Sequence, residues 1–254
     1  FIYHYRNNYA VQANLGRAVY FGENVYSSSY DLGEFLASHD IATNAKMQLN
    51  AGNLYAATGG PDPKFSVAVA GNSYLGYDRI FKADVNGSVL INQPFTGFNA
   101  GILNNSSPVP FSSISTASTI FTFTITAKEI NDRVAIGFAD LEYARQFNFG
   151  GQQNFEFVLP ATGTGNYFEI SNFNSGSVIP MLYDLSTGKR YAANTAVAGL
   201  LRFALPASGI ERKLVLASED ASNITTVNSF IQRNFINYAV ANLQGDYLII
   251  SNKL

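Results

Sequence analysis

The 254 residues carry 16 Lys or Arg against 18 Asp or Glu, a formal charge of −2, and no cysteine. That balance leaves nucleic-acid binding without an electrostatic footprint, and the missing thiols exclude disulfides, thiolate metal sites and a cysteine nucleophile within this chain. Charged residues make up 13%, about half the usual share, so Asn, Ser, Thr, Gln and Gly must supply the polar surface, as in many exported β-rich proteins.

The chain opens on Phe1-Ile2-Tyr3 without an initiator Met or a signal peptide, which reads as a removed leader or an excised piece. Residues 32–40, "LGEFLASHD", predict a short helical turn. Period two then dominates. Strands are predicted at 45–49, 65–70 and 88–91, with turn chemistry at Gly59-Gly60-Pro61 and Asn86-Gly87. Residues 104–118 read as a long surface loop, because Pro108 and Pro110 oppose strand pairing. In "TIFTFTIT", Phe121, Phe123 and Ile125 take one face and Thr122, Thr124 and Thr126 the other.

"LEYARQFNF" reads as one strand. Leu141, Tyr143, Arg145, Phe147 and Phe149 share a face, opposite Glu142, Ala144, Gln146 and Asn148. Gly150-Gly151 then predicts a hairpin into Phe155, Phe157 and Leu159, which Pro160 stops. Strands at 167–170, 178–185, 200–205 and 213–217 follow, with turns at 163–165 and at Thr187-Gly188. Residues 226–243 fit helix and strand equally poorly and read as a connector. Tyr247-Leu248-Ile249-Ile250 is a continuous apolar run, the pattern of a strand covered by helices on both faces.

These elements predict an all-β fold with little helix. Residues 1–225 would form a two-layer antiparallel β-sandwich, jelly-roll-like, and 226–254 a connector plus the first strand of an absent α/β domain. No stretch approaches the roughly 18 apolar residues of a membrane span.

Candidate chemistry is sparse. His4 and His39 lack metal-ligand partners at useful spacing. No Gly-x-Ser-x-Gly elbow, Walker loop or dinucleotide fingerprint occurs, and nothing favours a Ser-His-Asp triad. Asp140 and Glu142, two apart on a strand, would stand roughly 6.5–7 Å apart at Cα, loosely suiting an inverting glycosidase. Alternation assigns both to a solvent face instead. Asp62, Asp78, Asp84 and Asp132, near glycine or asparagine, are candidate calcium ligands, though aspartates serve turns equally well. The 15 tyrosines and 20 phenylalanines, without Trp, read as packing rather than a sugar platform. Asn86, Asn105 and Asn223 head glycosylation sequons that decide nothing. No catalytic, cofactor-binding or metal-binding residue is assigned.

Residues 16–25, 137–157, 169–187 and 242–252, four stretches in order, resemble the non-catalytic front half of the PorU sortases, gingipain-type cysteine peptidases of the type IX secretion system in Bacteroidetes. Residues 16–25 are similar to a Gly-Arg-x-Trp-Phe/Tyr-Gly-Glu motif through Gly16, Arg17, Phe21, Gly22 and Glu23. "GFADLEYARQFNFGGQQNFEF" resembles the family's strand pair, with Asp140, Tyr143, Arg145 and Gly150 in matching places. "EISNFNSGSVIPMLYDLST" resembles a segment ending Trp-Asp-Val-Thr, through Asp184 and Thr187. "NLQGDYLIISN" is similar to the opening strand of the peptidase domain. Without Trp, the aromatic anchors of the first and third motifs have become Val19 or Tyr20 and Leu182.

The resemblance implies a catalytically silent module at the cell surface, associated with the outer membrane. It would scaffold or dock its own C-terminal peptidase domain, and its further partners would be an outer-membrane shuttle protein and the C-terminal signal domains of cargo. The whole protein would cleave those signals and attach the cargo to surface lipopolysaccharide. The family's catalytic Cys and His belong to the following domain, so none maps here. The alternative is a carbohydrate-binding or adhesive β-sandwich of an exported bacterial protein.

Overall fold

The computed structural model describes residues 1–14, 17–18, 23–24, 35–72, 76, 78–115, 118–235, 237 and 240. The predicted strand at 247–250, and Gly16, Phe21 and Gly22 of the first motif, lie outside the described residues. In chain order the strands are β1 (Ile2–Asn8), β2 (Gln12–Ala13), β3 (Arg17–Ala18), β4 (Glu23–Asn24), β5 (Leu36–Ala37), β6 (Ile41–Ala42), β7 (Lys46–Gly52), β8 (Lys64–Gly71), β9 (Arg79–Val85) and β10 (Ser88–Pro94). Next come β11 (Ala100–Asn104), the helical turn α1 (Phe111–Ile114), β12 (Ser118–Ala127), β13 (Arg133–Ala144), β14 (Asn148–Gln152) and β15 (Asn154–Leu159). The series closes with β16 (Asn166–Phe173), β17 (Met181–Asp184), β18 (Lys189–Ala192), β19 (Leu200–Leu205) and β20 (Arg212–Ala217).

Alternation decides which faces meet. In β12 the aromatic positions are buried while the threonines between them stay partly open, as period two requires. One sheet runs β1-β13-β8-β11, with β6 added to β13, and a second runs β10-β9-β12-β7. Their pairings nest: β1 with β13, β7 with β12, β8 with β11 and β9 with β10, all antiparallel. This is one long ribbon folded over on itself, the winding of a jelly roll. The inner faces share a core in which Phe65 of the first sheet stacks on Phe121 of the second, with centroids 5.0 Å apart. Burying each such ring contributes about 1.5–3 kcal/mol.

A second large core follows. Sheets β14-β16-β19 and β15-β20-β17-β18 enclose Phe149, Phe157, Phe168, Ile170, Leu182, Phe203 and Leu214. Here β14 lies parallel to β16. The all-β sandwich architecture therefore holds, built as a jelly roll followed by a smaller sandwich.

Several local expectations change. The run 141–149 is two strands, because β13 ends at Ala144 and β14 starts at Asn148 in another sheet. Gly150-Gly151, at φ 63° and 74°, makes no hairpin: β14 pairs with β16, and β15 with β20. The glycines carry the chain from one layer to the other, where positive φ serves a crossing as well as a turn. Among residues 32–40, the described 35–40 hold the short strand β5 rather than a helical turn. The 104–118 loop contains α1, anchored by buried Val109 and Ile114.

Where the two sandwiches meet, Arg145 is buried at 4% exposure. Its Nη1 donates to Leu54 O at 2.9 Å and to Tyr143 Oη at 2.8 Å, and its Nη2 to Asn148 O at 2.9 Å. The guanidinium also faces the rings of Tyr3, Tyr55 and Phe155 at 5.0–5.6 Å. Phe1 wedges beside it, 4.8 Å from Phe147 and 5.4 Å from Phe157.

Candidate functional site

The outer face of the β1-β13-β8-β11 sheet gathers most of the chemistry. In β1 the tyrosines Tyr3 and Tyr5 turn toward the core, which sends His4, Arg6 and Asn8 outward. The β1–β13 register sets His4 opposite Glu142 and Arg6 opposite Asp140. His4 Nδ1 lies 3.1 Å from Asp140 Oδ1, and its Nε2 lies 3.7 Å from Glu142 Oε2. Lys64 Nζ from β8 donates to Glu142 Oε1 at 2.8 Å. Asp140 and Glu142 thus stand on the outward face, as alternation requires, each beside a nitrogen-bearing partner. Exposed pairs of this kind contribute little to stability, about 0–1 kcal/mol.

Further along the same face the surface turns apolar. β13 carries a bulge between Ile136 and Phe138, and the ring of Phe35 packs onto Gly137 so closely that a Cβ there would lie 2.7 Å from it. The backbone of Gly137 also accepts a hydrogen bond from Tyr9 N at 2.8 Å. Between Tyr9, Phe35, Leu36, Ala68, Ile102 and Phe138 opens a cleft of about 670 Å³. Arg6 lies over Phe138, with its guanidinium carbon 3.8 Å from the ring centroid, and donates from Nε to Asn8 Oδ1 at 3.0 Å. Burial pushes the Tyr9 hydroxyl up to about 12.

The aspartates considered for calcium are dispersed. Asp132 is buried against Arg79, whose Nε donates to its two carboxylate oxygens at 2.8 and 2.9 Å. Asp84 accepts from Gly87 N at 3.1 Å and closes the β9–β10 turn. Asp62 and Asp78 are exposed. Among the described residues no three His, Asp or Glu side chains gather as a metal site would need. The sequon amides are engaged: Asn86 with Ile120 N, Asn105 with Phe65 N, and Asn223 with Asn154 and Ser218 O. His39 is exposed and sits beside Ser38, whose hydroxyl donates to the His39 carbonyl.

Sequence reasoning missed the cleft, because Phe35 and Ile102 fall in segments not assigned as strands. Arg145 did leave a signal, as a charge on the apolar face of a core ribbon. The class defined by fold and face is a two-sandwich β module with an apolar outer cleft. Among the described residues no helix is long and apolar enough to cross a membrane.

No family profile and no curated protein matches the chain. Among solved structures it is similar to dimeric latent PorU of Porphyromonas gingivalis, with a TM-score of 0.57 at 10% identity. That likeness covers 87% of this chain and 20% of the other, so the chain spans about a fifth of the solved protein's length. At such identity the likeness establishes a PorU-like fold. A CBM36 carbohydrate-binding module in complex with calcium and xylotriose superposes over 40% of this chain and 77% of its own, at TM-score 0.30 and 16% identity. The CBM36-1 domain of a xylanase from the hindgut metagenome of Trinervitermes trinervoides gives TM-score 0.31 at 14% identity, over 40% of this chain and 74% of its own.

Proposed function

We propose that this chain is the non-catalytic β-sandwich region of a PorU-type sortase, acting as a scaffold and docking body for a peptidase domain. The observation that carries the reading is the PorU-like fold, which extends over 87% of the chain and so takes in both sandwiches. The order of the four sequence motifs supports it independently, and the zero cysteines fit a region that performs no thiol chemistry. In this reading the whole protein works at the cell surface beside the outer membrane, cleaving C-terminal signals from exported cargo and attaching the cargo to lipopolysaccharide. Its own peptidase domain, the shuttle protein and the cargo signal domain are the partners.

Two measurements test this. The gene read beyond codon 254 is expected to continue into a gingipain-type domain carrying a His and a Cys nucleophile. The purified chain is expected to be inert toward peptide substrates and to bind that domain in calorimetric titration. A reading frame that stops at Leu254, or one that leads into an unrelated domain, defeats the proposal. Specific binding on a glycan array without affinity for the peptidase domain would replace it with a carbohydrate-binding role.

A further inference from the structure

Small-molecule sites are concave and mostly apolar, hold about 300–1,000 Å³ and carry a few placed polar groups. The outer-face cleft, at about 670 Å³, fits that description. Ile102 and Leu36 on its walls are 59% and 60% exposed, an apolar surface left open among the described residues. Scattered exposed apolar side chains need no explanation, but a contiguous set lining a concavity does.

Among the described residues, a cation stands at the edge. Arg6 touches two lining residues, stacking on Phe138 and bonding Asn8 through Nε. Its terminal nitrogens, Nη1 and Nη2, make no hydrogen bond or ion pair among the described residues. Asp140, opposite Arg6 in the register, is held by His4 at 3.1 Å instead. The stack on Phe138 therefore presents a planar fork beside the cleft. Such a fork matches the two oxygens of a carboxylate, while the apolar walls match an alkyl body.

We propose that this cleft binds a single-chain anionic amphiphile of the fatty-acid class. The carboxylate meets Arg6 Nη1 and Nη2, and the chain runs along Phe138, Ile102 and Phe35. This site is independent of the scaffold role above.

The test titrates the full chain with decanoate and with decanol, followed by calorimetry and by displacement of anilinonaphthalene sulfonate fluorescence. Saturable one-to-one binding of decanoate is expected. Arg6→Gln should weaken decanoate about tenfold, the scale of one charge-assisted hydrogen bond, and decanol by no more than about twofold. Ile102→Glu, which sets a carboxylate in the walls at a half-exposed position, should weaken both by more than about tenfold. Circular dichroism checks that both variants stay folded. Absence of saturable decanoate binding overturns the proposal. So does an equal loss of both ligands in Arg6→Gln, or undiminished binding in Ile102→Glu. Co-sedimentation with phosphatidylglycerol vesicles that Ile102→Glu abolishes would also overturn it, assigning the face to a membrane surface.

Discussion

Arg79 and Asp132 have side chains at 0% exposure, and the guanidinium also donates to the carbonyls of Phe95 and Gly97 at 3.0 Å. Removing Asp132 takes the carboxylate away from a buried guanidinium. Asp132→Ala is therefore expected to cost about 3–5 kcal/mol, read as a lowered midpoint in urea unfolding. The double change Arg79→Met with Asp132→Leu should recover only part of that loss: no buried charge remains, but the carbonyls of Phe95 and Gly97 lose their donor. Tyr143 offers a second handle. Burial, only partly offset by Arg145, pushes its hydroxyl up to about 12. The folded state then holds this proton more tightly than the unfolded state, so the contribution is complete below about pH 10 and is lost as pH rises toward 12. A difference of that size corresponds to about 2–3 kcal/mol. Tyr143→Phe should be less stable at neutral pH, having lost the bond to Leu54 O, yet show a flatter stability profile from pH 10 to 12. At this scale the sequence is only partly legible. Asp84 finds its donor locally, in Gly87 N three residues on, whereas Asp132 is answered by Arg79, 53 positions away, which only the fold brings to it.

Turn chemistry is the most readable feature among the elements, and also the most ambiguous. Asn86 and Gly87 adopt φ 46° and 87°, the double positive φ of a tight hairpin turn, and they join β9 to β10 as their sequence announces. Gly87→Ala is expected to cost about 1 kcal/mol by thermal melting, because the left-handed conformation is retained while the residue best suited to it is gone. Gly150-Gly151 carries the same signal and leads to a layer crossing. A glycine pair licenses positive φ without choosing a partner strand. Gly60 has a different reason for being small: a Cβ there would lie 2.3 Å from Ala144 Cβ. Gly60→Ala should destabilise by about 1–3 kcal/mol and disturb the end of β13. β9 and β11 escape a reading by pattern for physical causes. Arg79–Val85 holds Arg, Lys and Asp, of which Arg79 and Asp84 are buried. Ala100–Asn104 is a short edge strand whose Gly-Ile-Leu stretch shows no alternation of its own.

For the whole molecule, the Arg145 joint ties the jelly roll to the smaller sandwich through backbone carbonyls and three aromatic rings. With this tie the two bodies should melt together. Arg145→Ala is expected to split the calorimetric endotherm into two, with the smaller sandwich leaving first; one unchanged transition would show that the bodies cohere by other means. The architecture has a further consequence for how the polypeptide reaches its final form. In the nested ribbon the innermost pair, β9 with β10, is local, while the outermost joins the two ends of the jelly roll, and Phe1 hydrogen-bonds Arg145 across 144 positions. Distant pairings are slow to nucleate, so zippering should start at the Asn86-Gly87 hairpin and end when β1 docks. Lesions in that hairpin should retard refolding, and lesions along the β1–β13 seam should chiefly hasten unfolding. A polypeptide delivered from its N-terminus onward would keep its opening strand unsealed until Ala144 had emerged, leaving an exposed edge for a chaperone to guard.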